Sequence, residues 1–389
     1  MTNETSQSHV LSRGKRVILL TGGGSGGHIY PLSAVTEQFK KLISNHLIYY
    51  LGPVDVFSVT LATHYGVKMR KIATAKLDRF LSFRNIFLLP KFFWSLLQAL
   101  FKVFWIMPEV IFSKGGPGAL PVVLAGWFYR IPIVIHESDA LPGLTNLISA
   151  RFAKKIALSF EGSAGYFDPK KTFVTGNPVR EELLGTRYSS EVAKDELHFN
   201  MQIPLTLVLG GSQGSKRINE FILANLGKLL KETQILHQTG SANYLEVKNL
   251  SRAAILELPL KEELEHRYQA VPYLDEDMKA ALLAADLVVA RAGSGTIFEI
   301  AAFGKPAILI PLKESANDHQ RANAFEFARA GGGVVIEEEN LLPGIFTSRL
   351  HEILGNQNER EKMAEAAVKF FQPGAAEAIA REVLKLAGA

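Results

Sequence analysis

The stretch VILLTGGGSGGHIYP (Val17–Pro31) sets five glycines around Ser25 directly after an apolar run, then closes on His28. Glycine at that density weakens any regular element, so the backbone itself must approach something closely. Loop amides and a helix N-terminus facing an anion supply the reason, and phosphate is the fitting anion. The helix dipole contributes only about 0.3–1 kcal/mol, so hydrogen bonds carry most of the grip. His28 falls at the start of the following helix, where positive potential favours a neutral imidazole able to take a proton near pH 7. Plain packing, or a bond to backbone, is the alternative use of such a histidine.

Gly22, Gly24 and Gly27 formally meet the dinucleotide fingerprint. The nicotinamide version also needs an acid at the end of the second strand. HLIYYLGP (His46–Pro53) ends without one, which argues against an oxidoreductase. No Lys-Ser/Thr follows the last glycine, so a Walker loop is excluded too. What remains is a general phosphate turn.

Such turns recur. FSKGGPGALP (Phe112–Pro121) carries Gly115 and Gly116, and LTLVLGGSQGS (Leu205–Ser215) carries Ser212. In ARAGSGTIFEIAAFGKP (Ala290–Pro306), Ser294, Gly295 and Thr296 open a helix and Glu299 is expected within about its first turn. A carboxylate there can accept both hydroxyls of a ribose while loop amides hold a phosphate; ordinary helix-start charge is the plainer use. Two phosphate-type turns and one such carboxylate describe a nucleoside diphosphate site. Asp139 in HESDALPG is expected either to accept sugar hydroxyls or to cap the helix starting near Pro142. ESANDHQRANA (Glu314–Ala324) offers His319 and Gln320 as polar contacts, with Asn317 or Asp318 as the N-cap. Asp275–Asp277 reads as helix-start charge and not as a metal triplet. No metal site is expected, which leaves amides, hydroxyls and Arg180 to stabilise a leaving diphosphate.

These residues need a scaffold. Strand-length apolar runs are expected at Arg16–Thr21, Leu47–Leu51, Val110–Ser113, Ile131–His136, Lys155–Ser159 and Thr172–Thr175. A second series covers Leu205–Gly210, Gln234–Gln238, Leu287–Ala290, Ala307–Pro311 and Gly333–Glu337. Continuous Val/Ile/Leu runs alternating with helices predict α/β architecture, parallel sheets covered on both faces. Each series opens with strand, glycine turn and helix start, so one design is used twice. The expected division is a polar tail over 1–14, a first domain over 15–177, a second over 178–372, and a final helix within 373–389 that returns to the first. With 389 residues, 47% of them hydrophobic, two cores are affordable, and the lack of cysteine rules out disulfides and thiolate sites.

The net charge of +5 is local. Between His64 and Met107 stand eight Lys/Arg against Asp78 alone, which points to an anionic partner at one patch and not to nucleic acid. There FLSFRNIFLLPKFFWSLLQALFKVFWIMP (Phe80–Pro108) holds nine aromatics. Pro90 divides the run, and Lys91, Ser95, Gln98 and Lys102 share one helix face, so an amphipathic helix is expected and not a membrane span. Phe80, Phe83, Phe87, Phe93 and Trp94 are expected in a membrane interface, with Lys76, Arg79, Arg84 and Lys91 on lipid phosphates.

TGGGSGGHIYP, HESDALPGLTN, VTGNPVR, LVLGGSQGS, YLDEDM, RAGSGTIFEIAAFGKPAILIP and NDHQRANA occur in this order. Together they resemble the MurG family, which adds N-acetylglucosamine to lipid-linked muramyl-pentapeptide in peptidoglycan synthesis. The resemblance implies a GT-B fold, two Rossmann-like domains facing across a cleft, with UDP-N-acetylglucosamine held mainly by the second. It implies that Ser212 and the Ser294–Phe298 segment (Ser294, Gly295, Thr296, Ile297, Phe298) hold the donor, with Glu299 on the ribose. Leu274 backbone and Arg180 would lie by the uracil; Asp139, His319 and Gln320 would contact the sugar. Ser25, Gly26 and Gly27 would face donor sugar and acceptor diphosphate, and Gly22, Gly23, Gly24, Gly115 and Gly116 the acceptor diphosphate. His28 would deprotonate the muramyl 4-hydroxyl in one inverting displacement, with no metal and no cofactor. Implied partners are the UDP-sugar, the undecaprenyl-diphosphate-linked acceptor and an anionic membrane at its cytoplasmic face. The chain departs from the family where His136-Glu137-Ser138-Asp139 replaces the common His-Glu-Gln-Asn, and where Pro117 replaces Tyr. YLDEDM is one residue longer than usual, leaving Leu274 or Asp275 to meet uracil. Another GT-B enzyme (a glycolipid transferase or UDP-sugar epimerase) and a non-catalytic UDP-sugar-binding adaptor are the remaining alternatives.

Overall fold

The structure, a computed structural model, describes residues 15–23, 26–54, 56–73, 83–116, 118–185, 187–211, 213–259, 261–313, 315 and 318–388, excluding the side chains of 56, 57, 60 and 83–88. The first domain's strands are β1 (Arg16–Thr21), β2 (His46–Gly52), β3 (Lys68–Lys71), β4 (Val110–Ser113), β5 (Ile133–Glu137), β6 (Lys155–Leu158) and β7 (Thr172–Val174). They pair in the order β3-β2-β1-β4-β5-β6-β7, every ladder parallel. The second domain's strands are β8 (Leu205–Leu209), β9 (Gln234–Gln238), β10 (Tyr268–Val271), β11 (Leu287–Ala290), β12 (Ala307–Leu309) and β13 (Gly333–Val335), ordered β10-β9-β8-β11-β12-β13. The two sheets thus repeat one topology. Each reverses direction between its first and fourth strands, β1/β4 and β8/β11, and parallel sheets bind ligands at that switch point.

β3 and β10 had no counterpart among the expected strands. Both are edge strands, and β3 is Lys-Met-Arg-Lys with three exposed charges. An edge strand half in water carries no apolar run, and charge there guards against stray pairing.

Alternate residues of the first sheet fill two cores. Ile18, Leu20, Phe112 and Val134 pack on one face, Leu19, Ile111, Ile133 and Ile135 on the other. The final helix, Ala375–Leu386, belongs to the first of these cores through Ile379, Val383 and Leu384. Burying each such side chain contributes about 1.5–3 kcal/mol. Arg16, the first residue of β1, grips the end of that helix through the carbonyls of Ala387 and Gly388.

The expected amphipathic helix follows β3 and runs Phe83–Ile106. Beyond exposed Lys91 its polar stripe faces the protein: Ser95 Oγ donates to the Ala73 carbonyl, Gln98 Oε1 accepts from Ala73 N at 2.9 Å, and Lys102 donates to the Lys71 carbonyl. The cause is the edge itself, since backbone leaving β3 has no further strand and needs partners. Ala99 and Val103 fill the core beside those polar residues, and the aromatic face is left outside.

Candidate functional site

At the β1/β4 switch point the two glycine turns touch. Tyr50 Oη donates to the Gly22 carbonyl at 2.6 Å, and a Cβ on Gly23 (φ 111°) would stand 2.4 Å from that hydroxyl. Gly115 and Gly116 both have φ near 80°. A Cβ on Gly116 would lie 2.8 Å from the Gly23 carbonyl oxygen and 3.0 Å from His28 Nε2. Glycine is therefore what allows the two loops and the His28 ring to meet. His28 is half-buried, third in the helix Gly26–Leu42, after buried Gly26 and exposed Gly27. Gly24 and Ser25 lie outside the described residues.

Beyond β5, Asp139, expected either to accept sugar hydroxyls or to cap the next helix, is not the cap; Gly143 holds that position with no side-chain cap bond. Buried Glu137 accepts from Asp139 N, Gly143 N and Asn146 Nδ2, each at 3.0 Å, and so shapes the HESD loop and the start of the helix Leu144–Ser149. Asp139 instead reaches the second domain: Asn323 Nδ2 donates to it at 2.8 Å and His319 Nδ1 stands 3.3 Å away. Asn323 also accepts from Ala140 N at 2.8 Å. The contact ties HESD of one domain to NDHQRANA of the other. Asp318 holds the N-cap position of the helix His319–Arg329 without a side-chain cap bond. Gln320 Oε1 accepts from Leu312 N at 3.0 Å, fixing the loop that follows β12.

Asp139 sits among donors that pull its pKa down to about 2 against the opposing effect of burial, while the carboxylate raises that of His319. A raised histidine contributes stability that is complete below its unfolded pKa near 6.5 and lost as pH rises through the folded value. The carboxylate's share disappears as pH falls through about 2. The unfolding free energy of wild type minus that of His319→Gln should therefore be largest near pH 4–6 and shrink above neutrality. Denaturant titrations at stepped pH measure it, and a pH-independent gap refutes the pairing.

In the second domain, Gly210–Ser215 follows β8 and the helix Ser294–Ala302 follows β11, flanking the other switch point. Ser212 lies outside the described residues. Gly214 (φ 77°) is irreplaceable, because a Cβ would lie 2.2 Å from the Thr239 carbonyl oxygen. Arg291 supports the loop from beneath, with Nη2 donating to Ser215 Oγ at 2.7 Å and pairing with Glu338. Gly293 makes no side-chain cap, so the first amides of the helix remain for an anion. Ser294 is buried, Gly295 and Thr296 half-buried. Ile297 and Phe298 turn into the core, Phe298 against Phe160 and Phe370, so their side chains are closed to any ligand.

Glu299 falls in the second turn of its helix, not the first. Burial raises its pKa and nearby Arg180 opposes that, the two charges being 3.8 Å apart. Arg180 also stacks 4.6 Å from the Tyr30 ring centre and bonds Asp275 at 3.4 Å. Tyr30 and Tyr273 hydroxyls meet across the cleft at 2.6 Å. Leu274 N donates to Gln238 Oε1 at 3.0 Å, and its side chain is buried. Tyr30, Tyr273, Glu137 and Asn323 were not singled out from sequence. Each lay inside a stretch already marked, Tyr30 in TGGGSGGHIYP, Glu137 in HESDALPG, Tyr273 in YLDEDM and Asn323 in NDHQRANA, but without a role of its own.

Comparisons agree with this geometry. Residues 18–158 match the glycosyltransferase family 28 N-terminal domain and residues 205–379 its C-terminal domain. A Bacillus cereus protein named UDP-N-acetylglucosamine–N-acetylmuramyl-(pentapeptide) pyrophosphoryl-undecaprenol N-acetylglucosamine transferase 2 is 35% identical over 360 residues, 91% of this chain and 95% of its own. A Halothermothrix orenii relative of the same enzyme name is 36% identical, covering 92% and 95%. The crystal structure of Acinetobacter baumannii MurG aligns with TM-score 0.73 and 25% identity over 95% of this chain and 99% of that one. A UDP-N-acetylglucosamine 2-epimerase shares the fold at TM-score 0.62 and 15% identity, covering 96% and 97%. With both domains matched, the two-sheet GT-B fold in place and relatives of this identity along nearly the whole length, the chain belongs to glycosyltransferase family 28, in its MurG group of N-acetylglucosamine transferases.

Proposed function

We propose that the chain transfers N-acetylglucosamine from UDP-N-acetylglucosamine to the 4-hydroxyl of an undecaprenyl-diphosphate-linked N-acetylmuramyl-pentapeptide. The observation that carries this reading is the pair of switch-point loop clusters opposed across one bridged cleft. The second domain offers amides at Gly293–Thr296 and the Glu299 carboxylate for a nucleoside diphosphate; the first offers Gly22, Gly23, Gly115 and Gly116 for a second diphosphate. His28 stands among the latter, where it can take the hydroxyl proton as the oxygen attacks the anomeric carbon and UDP leaves. A single displacement inverts the configuration, giving a β-1,4 linkage. Helix amides and Arg180 stabilise the departing diphosphate, and the reaction is proposed to need no metal. A radiolabelled transfer assay with lipid-linked muramyl-peptide, run with and without chelator, tests the reading. No transfer in either condition removes it.

The second part of the proposal is reversible docking on the cytoplasmic face of the cell membrane. No helix among the described residues is long and apolar enough to cross a bilayer. Exposed aromatics stand on two helices: Phe93, Trp94, Phe101 (64% exposed) and Trp105 (71%) on the first, and Trp127 and Phe128 on Ala119–Phe128, with Tyr129 in ring contact with both Phe104 and Phe128. Exposed Lys91 and Arg130 flank it. Lys76, Arg79 and Phe80 lie outside the described residues, as do the side chains of Phe83, Arg84 and Phe87. Exposed aromatics in this number, with cations beside them, fit the interface of an anionic bilayer. Phe101→Asp combined with Trp105→Asp should cut sedimentation with anionic liposomes at least tenfold, at about 25 cal/mol per Å² of aromatic surface removed. Unchanged sedimentation would remove this surface from the membrane.

A further inference from the structure

Lys114 is the anomaly of the first domain. It follows β4 at the switch point, immediately before Gly115 and Gly116, and is only 2% exposed. Its amide donates to the Thr21 carbonyl at 2.9 Å, and a Cβ on Gly22 would lie 3.1 Å from its own, so it is wedged between the two glycine turns. Among the described residues no carboxylate forms an ion pair with its ammonium; Glu137 and Asp139 act on it only at a distance. Both are already committed, Glu137 to three N–H donors and Asp139 to Asn323 and His319. Burial accordingly pulls the lysine pKa down.

A buried cation with no contact ion is costly to keep, and a fold that serves only stability replaces it with an apolar residue. Its position indicates the ligand that balances it. The two positive-φ glycine turns meet directly beside it, at the edge where such sheets bind phosphates. We propose that Lys114 is the cation of the diphosphate site in the first domain, its three N–H donors completing the ring of loop amides. The inference rests on the transfer reading above. It goes beyond that reading by placing a charged group in a site otherwise built from neutral amides. The diphosphate is the acceptor's or the donor's, and the two are separable by experiment.

Full-length wild type, Lys114→Met and Lys114→Arg are compared in two assays. In the first, calorimetry measures binding of farnesyl diphosphate, farnesyl monophosphate and UDP. In the second, steady-state transfer gives KM for each substrate. Loss of one charge-assisted contact is worth about 10–100-fold. Lys114→Met should lose that factor for farnesyl diphosphate and for acceptor KM, with Lys114→Arg recovering part of it and monophosphate discriminated less. A loss confined to UDP and donor KM assigns the same cation to the donor. No change in either diphosphate overturns the proposal. Lys114→Met removes an unbalanced buried charge and should melt no lower than wild type; if it does not fold, Lys114→Gln takes its place. Wild type that binds farnesyl diphosphate through Lys114 yet transfers no sugar would sink the transfer reading and leave this one standing.

Discussion

His28→Ala should lower kcat by about 10²–10⁴-fold while leaving UDP affinity within a factor of a few. That range is what one positioned general base contributes. The separation follows from placement. The ring belongs to the first domain, packed beside Gly116, whereas the nucleotide contacts proposed here come from the second. A base that must be neutral also gives the kcat profile an acid limb, and the variant should lose it. Gly116→Ala provides an independent check. Its Cβ would press on His28 Nε2 and the Gly23 carbonyl from a φ of 84°, so kcat should fall although no polar group has been removed. A fivefold effect or less in His28→Ala, or parallel loss of UDP binding, would remove the base assignment.

The elements that sequence made legible are those buried on both faces. β1, β4, β9 and β11 run as expected because a central parallel strand has no solvent side to break its apolar run. β3 escaped notice for the opposite reason: its side chains meet water and its neighbours supply the order. The helix Phe83–Ile106 shows a deeper limit. Periodicity marked the Lys91–Lys102 stripe correctly but is silent on direction, and the unpaired backbone at 71–73 decided that polar atoms turn inward.

The site follows the same division. Loops rich in glycine announce themselves, since close backbone approach leaves few alternatives in composition. The separate roles of Glu137 and Asp139 do not, because two carboxylates two residues apart look alike until the loop is folded. One points back at three amides and the other across the cleft. Lys114 carried a readable signal in retrospect: a lone charge between an apolar strand and a Gly-Gly turn. Tyr30 and Tyr273 stood inside marked motifs but gave no sign of their pairing, since each is an ordinary aromatic until two domains meet.

Glu299→Gln should raise the donor KM about 30-fold or more and weaken UDP correspondingly, with acceptor KM little changed. The carboxylate has 15% of its side chain exposed, and burial raises its pKa despite Arg180. Its ionised form is thus under-solvated in the folded protein, and two ribose hydroxyls are the donors it lacks. Each hydrogen bond to a charged group contributes about 1.5–3 kcal/mol, so two of them exceed the expected loss even after Arg180 relaxes. A raised carboxylate pKa means that its charge opposes folding at neutral pH, because the unfolded chain ionises it more readily. Glu299→Gln should therefore melt no lower than wild type, which separates a binding defect from a folding defect. The ligand can be varied in the same way: 2′-deoxy-UDP should bind wild type about tenfold more weakly than UDP, and the variant should hardly distinguish the two. If wild type ignores the missing hydroxyl, Glu299 does not hold the ribose, and its partner in the cleft is Arg180 alone.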